Sequence, residues 1–93
     1  MKYFKINEFG SILTGREFGK DVMNEIITKL EFPTGLDFEG VVTMGSSFGD
    51  EIIVPISNKQ NKTLNVMNTN SLINSCLADI ADEHQIQILF DSK

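Results

Sequence analysis

The sequence has a single cysteine, Cys76, and a single histidine, His84, among its 93 residues. One cysteine excludes an intrachain disulfide and a thiolate cluster for a metal ion. On one predicted helix the two residues would be separated by about 12 Å of rise, which is too far for a catalytic hydrogen bond. We therefore predict that Cys76 is a buried core residue and that His84 lies at the surface near a helix C-terminus.

Basic residues are also few. Eight Lys and Arg residues against 13 Asp and Glu residues give a net charge of −5, which argues against a nucleic-acid partner. No apolar run approaches the ~20 residues that span a bilayer, and the N-terminal stretch MKYFKINEFG lacks the features of a signal peptide. These absences predict a cytoplasmic protein with neither a nucleic-acid nor a membrane partner.

Sequence fingerprints of cofactor and metal sites are missing as well. The stretch GREFGK does not have the spacing of a phosphate-binding loop. Asp50 and Glu51 are adjacent, so on a helix their side chains point about 100° apart, and no histidine is near them in sequence. No nucleophile–base pair is recognisable. We expect no cofactor, no metal site and no enzymatic activity.

The composition is that of a folded domain. Hydrophobic residues make up 41% and charged residues 23% of the chain, close to the averages of soluble globular proteins. No repeat or linker divides the sequence, and its length suits one small core. Residues 1–93 are therefore predicted to form a single domain.

The apolar patterns predict the order β, α, β, α, β, α, β. A strand at Lys2–Ile6 is followed by a short strand at Ser11–Leu13, which we expect to pair with it. Thr14 and Glu17 have the spacing of a capping box at the start of the first helix. This order predicts an α/β fold: a small mixed or mostly parallel sheet of about 4–5 strands, with three helices packed mainly on one face.

The second helix follows the stretch GLDFEGVVTMGSSFGDEII. Ser46 or Ser47 is expected to cap this helix, and Ser47 with Asp50 again has a capping spacing. Pro55 is costly inside a helix, by about 3 kcal/mol, so we expect a kink or an end near Val54.

The third helix is expected to be capped by Thr69 or Asn70 and to lie between strands at Thr63–Asn68 and Gln85–Phe90. Its predicted inward-facing residues are Leu72, Ile73, Cys76, Leu77 and Ile80.

The stretch DFEGVVTMGSSFG resembles the STAS family, the fold of the bacterial anti-sigma-factor antagonists. The residues that carry the resemblance are Asp37, Gly40, Val41, Met44, Ser46 and Ser47. The sequence is still more similar to the STAS-like domains of unknown function, through a glycine followed by Arg16, then LDFEGV, then SFGDE. Gly45 and Phe48 stand where the antagonists have aspartate and glycine, and both differences agree with the STAS-like group.

The resemblance implies a regulatory protein-protein interaction module. In the antagonists, the serine corresponding to Ser47 is phosphorylated by a GHKL-type ATPase that is also the binding partner. A phosphate adds about −1.5 to −2 charges beside the partially positive start of a helix, which would change how a partner docks. The implied partner-binding or regulatory residues are Arg16, Asp37, Ser46, Ser47, Phe48, Asp50 and Glu51.

Simpler structural roles remain open for these residues. Ser46 and Ser47 suit helix capping, and Asp50 and Glu51 suit the first turn of a helix. Asp37 needs a partner if it is buried, and either Arg16 or nearby loop amides could provide one. Phe48 is either a core residue or an exposed contact for a partner.

A second hypothesis belongs to a different functional class. A small acidic domain could be a phage-type inhibitor that occupies a basic surface of a host defence complex through dispersed carboxylates. In either case an exposed strand edge would permit a homodimer.

Overall fold

The computed structural model describes residues 1–91 and contains three helices and two parallel sheets. In chain order the elements are β1 (Lys2–Lys5), a 3-10 turn (Ile6–Phe9), β2 (Ile12–Leu13), α1 (Arg16–Ile26), β3 (Thr34–Asp37), β4 (Thr43–Met44), α2 (Ser46–Asn58), β5 (Thr63–Met67), α3 (Ser71–His84) and β6 (Gln87–Phe90). Among these residues, no helix combines the length and the apolar character needed to cross a bilayer.

The larger sheet has the strand order β1-β3-β5-β6, with every neighbouring pair parallel. Each crossover passes through one helix and moves the chain in the same direction along the sheet. Right-handed crossovers of this kind place their helices on the same face. The predicted α/β class, with a small, mostly parallel sheet and three helices, is confirmed.

The core lies between the sheet and the helices. Leu36 and Val66 are neighbours in the register of β3 and β5, and both are fully buried. Helix α2 occupies the middle of the helical layer and contacts both α1 and α3. At Gly19 of α1, a Cβ atom would lie 2.9 Å from the Cβ atom of Glu51, so the missing side chain lets the two helices approach closely.

The short strand β2 does not pair with β1 as the sequence suggested. β1 pairs with β3 instead, and the 3-10 turn after it carries the chain away from the sheet, with Ile6 buried. β2 pairs in parallel with β4, in the register Ile12 to Thr43 and Leu13 to Met44. The predicted pairing of these two strands is wrong because the segment that follows β1 is a 3-10 turn and does not reverse the chain.

Two predicted helix caps are also absent. Helix α1 begins after Gly15, with no capping side chain, and Glu17 lies 3.7 Å from Lys20 instead of bonding back to Thr14. Helix α2 begins after Gly45, again with no side-chain cap. Only α3 has the expected cap, where the Asn70 side chain accepts a bond from the N–H of Ile73 at 2.8 Å.

Of the two outcomes predicted near Val54, a kink or an end, the end is wrong: helix α2 runs through Pro55 to Asn58. Ile52, Ile53 and Ile56 are fully buried on both sides of the proline. Their packing stabilises the helix across the lost backbone bond, since tertiary burial supplies most helix stability in proteins.

Leu72 is the one residue predicted to face inward on α3 that does not, because it is 57% exposed.

Candidate functional site

The start of α2 is positioned by the small sheet. The N–H of Gly45 donates to the carbonyl oxygen of Leu13 at 2.9 Å, which fixes the residue before the helix against β2. Ser46 is exposed and Ser47 is half-buried in the first turn. Neither side chain caps the helix, so the capping role predicted for this serine pair is wrong.

Arg16, the first residue of α1, reaches across to α2. Its Nη1 atom lies 2.7 Å from Oε2 of Glu51 and its Nη2 atom lies 3.5 Å from Oδ2 of Asp50. The bond to Glu51, together with Asp50, raises the pKa of Arg16 above its ordinary value against a smaller opposing effect of burial. Both acidic residues lie beyond the first turn of α2, so their role here is this ion-pair cluster and not the helix dipole.

Asp37 lies elsewhere and does not meet Arg16. It is 3% exposed at the end of β3, where Oδ1 accepts bonds from the side-chain amide of Asn68 at 2.8 Å and from the N–H of Glu39 at 2.9 Å. The loop-amide interpretation of this aspartate is therefore confirmed, and the Arg16 pairing is wrong. Through these bonds the Asp37 carboxylate connects the loops that follow β3 and β5. Because it is buried, it is not available to a partner.

Phe48 is a core residue. Its side chain is fully buried, and its ring centroid lies 5.4 Å from that of Phe18 in a tilted arrangement. Phe48 of α2 therefore packs against α1 within the core. Of the two roles considered for it, the core role is confirmed.

Three exposed aliphatic residues near this helix start were not predicted from the sequence to be exposed. They are Ile12, Val42 and Leu72, which lie on or next to backbone segments joined by hydrogen bonds and which we call the apolar patch. Their exposed fractions are 63%, 55% and 57%. The N–H of Val42 donates to the carbonyl oxygen of Ser11, beside Ile12. The side-chain amide of Asn70, two residues before Leu72, donates to the carbonyl oxygen of Val42 at 2.9 Å. Alternation and helix periodicity do not locate such a patch, because it depends on where β2, β4 and α3 meet.

The structure also brings His84 to Asp50, which the sequence did not suggest. His84 is the last residue of α3, and its Nε2 atom lies 3.7 Å from Oδ1 of Asp50. The predicted position of the histidine at a helix C-terminus is confirmed, although its side chain is only one-third exposed. Cys76 is buried, as predicted.

Two cavities lie away from the start of α2. One cavity of about 120 Å³ is lined by Lys2–Phe4, Lys29–Glu31 and Thr34, and it is small beside the ~300–1,000 Å³ of typical ligand pockets. An open depression lies beside Ala81–Asp82 and Gln85–Gln87.

No protein-family model matches the chain, and neither a curated protein nor a solved structure is significantly similar to it. The resemblance to the STAS-like domains thus depends on the order of the elements and on the short motifs of this sequence, a glycine followed by Arg16, LDFEGV and SFGDE.

Proposed function

We propose that this chain is a non-enzymatic, cytoplasmic regulatory module that binds a protein partner at the start of α2. The contact surface consists of the apolar patch, Ser46 and Ser47, and the ion-pair cluster of Arg16 with Asp50 and Glu51. By the STAS-like resemblance, the partner is a GHKL-type ATPase or another regulator. The observation that carries the proposal is the apolar patch beside this helix start.

The apolar patch has the character of an interface centre. Among the described residues, three of the five most exposed large apolar residues belong to it. Hydrogen bonds connect the backbone segments on or next to which these three residues lie. Isolated exposed aliphatic residues are ordinary, but several of them on adjoining segments with polar residues around them are typical of protein-binding surfaces. Ile12, Val42 and Leu72 would form the dehydrated centre of the contact.

The polar surround provides specificity and a place for regulation. Ser47 precedes Glu51 by four residues, so the two side chains share one face of α2. A phosphate on Ser47 would repel Glu51 and compete with it for Arg16, because phosphate and carboxylate are both favoured partners of a guanidinium. Phosphorylation would then loosen the bond between α1 and α2 and add charge to the contact surface.

A second candidate, the acidic inhibitor of a defence complex, is favoured by one feature of α3. Asp79, Asp82 and Glu83 are exposed on this helix, and the helix contains no Lys or Arg. Such a surface would bind a basic partner through carboxylates, and the binding would weaken as salt screens the charges.

Site-specific photocrosslinking in cells of the native host distinguishes these proposals. A photoreactive amino acid at Val42 lies in the apolar patch, and one at Leu89 lies on the sheet face opposite to the helices as a matched exposed control. We expect a regulator or ATPase crosslinked at Val42 and not at Leu89. Equal crosslinking at both positions, or crosslinking only from a probe at Asp82 to a nucleic-acid-processing complex that is released by salt, would contradict the interaction module.

A further inference from the structure

Three potential metal ligands converge between α2 and the end of α3. The Nε2 atom of His84 lies 3.7 Å from Oδ1 of Asp50 and 3.9 Å from Oε1 of Glu83. All three donor atoms lie within 4.8 Å of one another. Imidazole nitrogen with carboxylate oxygen is a ligand combination that divalent transition metals accept.

Two of these atoms are buried without a hydrogen bond. Within residues 1–91, Oδ1 of Asp50 and Nε2 of His84 are inaccessible to solvent and have no hydrogen-bond partner. Buried polar atoms are nearly always paired in proteins, because an unpaired one loses its hydration without replacement. Their separation of 3.7 Å is long for a direct hydrogen bond. A third group bound between these two atoms would satisfy both of them.

We propose that Asp50, Glu83 and His84 bind a divalent transition-metal ion of the zinc class. Ligand atoms about 2.0–2.2 Å from a tetrahedral ion lie about 3.3–3.6 Å apart. The separations of His84 Nε2 from Asp50 Oδ1, 3.7 Å, and from Glu83 Oε1, 3.9 Å, exceed this only slightly. The Glu83 side chain is 71% exposed, so it is free to rotate inward and complete the set.

The surrounding charges suit a dication. Asp50, Glu51 and Glu83 provide three carboxylates and Arg16 one guanidinium, which gives a local charge of −2 when His84 is neutral. Glu83 and His84 end α3, and the C-terminus of a helix favours positive charge. Arg16 lies on the side of Oδ2 of Asp50, which leaves Oδ1 directed to His84 and holds the carboxylate in place, as outer partners of metal ligands commonly do.

The ion would fasten the end of α3 to the second turn of α2. Three protein ligands leave at least one coordination position for water or for an outside ligand. The nitrogen ligand separates this site from those of Mg²⁺ and Ca²⁺, which prefer oxygen ligands throughout. This inference requires no partner. Asp50 also belongs to the ion-pair cluster of the proposed contact surface, whereas His84 lies outside that surface, so a His84 variant tests the metal site alone.

Calorimetric titration of tag-free, chelator-treated protein with Zn²⁺ tests the site, and Co²⁺ absorption reports its geometry. We expect one equivalent to bind and to raise the thermal unfolding midpoint. Loss of outer partners already weakens metal binding by about 10–100-fold, so the variants His84→Gln and Asp50→Asn should each raise the Kd about 100-fold. Glu25→Gln removes an exposed carboxylate of α1 that is paired with Lys29 and should leave the Kd unchanged.

Several outcomes would overturn the proposal. Equal Zn²⁺ affinity in His84→Gln would exclude the histidine, and loss of binding in Cys76→Ala would assign the ion to the thiol instead. Binding of Mg²⁺ in preference to Zn²⁺ would contradict the nitrogen ligand. Because His84→Gln changes the last residue of α3, it should fold even if Asp50→Asn does not, and circular dichroism checks this for each variant.

Discussion

The side chain of Arg16 donates a 2.7 Å hydrogen bond to Glu51 across 35 residues of sequence. This bond joins the first turn of α1 to the second turn of α2, beside the serines that begin α2. It also depends on Gly19, since that residue has no side chain to separate the two helices. The arginine, the glycine and the glutamate therefore form one structural unit at the edge of the proposed contact surface.

Replacing Gly19 by alanine should destabilise this unit. The new Cβ atom would lie 2.9 Å from Cβ of Glu51 and 3.1 Å from the carbonyl oxygen of Phe48. Overpacking of this kind costs about 1–3 kcal/mol, against a gain of about 1 kcal/mol in helix propensity. We expect urea denaturation to give a net loss of about 1 kcal/mol in the free energy of unfolding.

The control for Gly19→Ala is Asn24→Ala, an exposed position on the same helix. Alanine there should leave stability unchanged or slightly raised. A Gly19→Ala protein as stable as the wild type would contradict the close approach of α1 and α2.

Replacing Ser46 or Ser47 by alanine should leave the fold intact. Neither hydroxyl caps α2, so each variant should stay within about 0.5 kcal/mol of wild-type stability. Asn70→Ala is the matched comparison, because the Asn70 side chain does cap its helix, and it should lose about 1 kcal/mol. Equal losses in the serine and Asn70 variants, measured by chemical denaturation, would restore a capping role to the serines.

Asn68 combines a backbone role and a side-chain role that two substitutions can separate. Its φ angle is 58°, and its side chain donates to the buried Asp37. Asn68→Gly should lose about 1.5–3 kcal/mol, the usual contribution of a bond to a charged group. Asn68→Ala should lose about 1–2 kcal/mol more, because alanine is strained in the left-handed region.

Denaturation of both Asn68 variants measures this difference directly. If the alanine variant matched the glycine variant, the left-handed backbone at this position would be contradicted. If both matched the wild type, the bond to Asp37 would contribute nothing to stability.

Cys76 should react slowly with alkylating reagents. Burial raises the pKa of its thiol above the ordinary value, and the charges of Asp79 and Asp50 raise it further. A raised pKa leaves less of the reactive thiolate at neutral pH. We expect the iodoacetamide rate of the folded protein to keep rising above the pH at which a free thiol is fully ionised, and to increase sharply in urea. Rapid alkylation of the folded protein at neutral pH would contradict the burial of this residue.

Local patterns in the sequence were sufficient to predict the order of the main elements and the α/β class. Apolar periodicity located the buried residues of α3 from Ile73 to Ile80, and Asn70 was one of two capping residues considered for that helix. The patterns failed where long-range packing decided the outcome. Helix α2 runs through Pro55 because isoleucines on both sides of it are buried.

The candidate site was predictable only in part. The motif residues Arg16, Asp50 and Glu51 do come together, but Asp37 and Phe48 belong to the interior. His84 approaches Asp50 only because α3 packs against α2. Similarly, the apolar patch forms where separate segments meet, so no local pattern in any one of them indicates it.

The most direct test of the interaction module is the affinity of the partner crosslinked at Val42 for two matched variants. Ile12→Ser removes an exposed aliphatic side chain from the apolar patch, and Leu89→Ser removes one from the opposite sheet face. Losing a central contact costs about 1–2 kcal/mol or more, so Ile12→Ser should raise the Kd at least about fivefold. Leu89→Ser should leave the Kd unchanged. Equal Kd values for Ile12→Ser and the wild type would contradict a partner-binding surface at the start of α2.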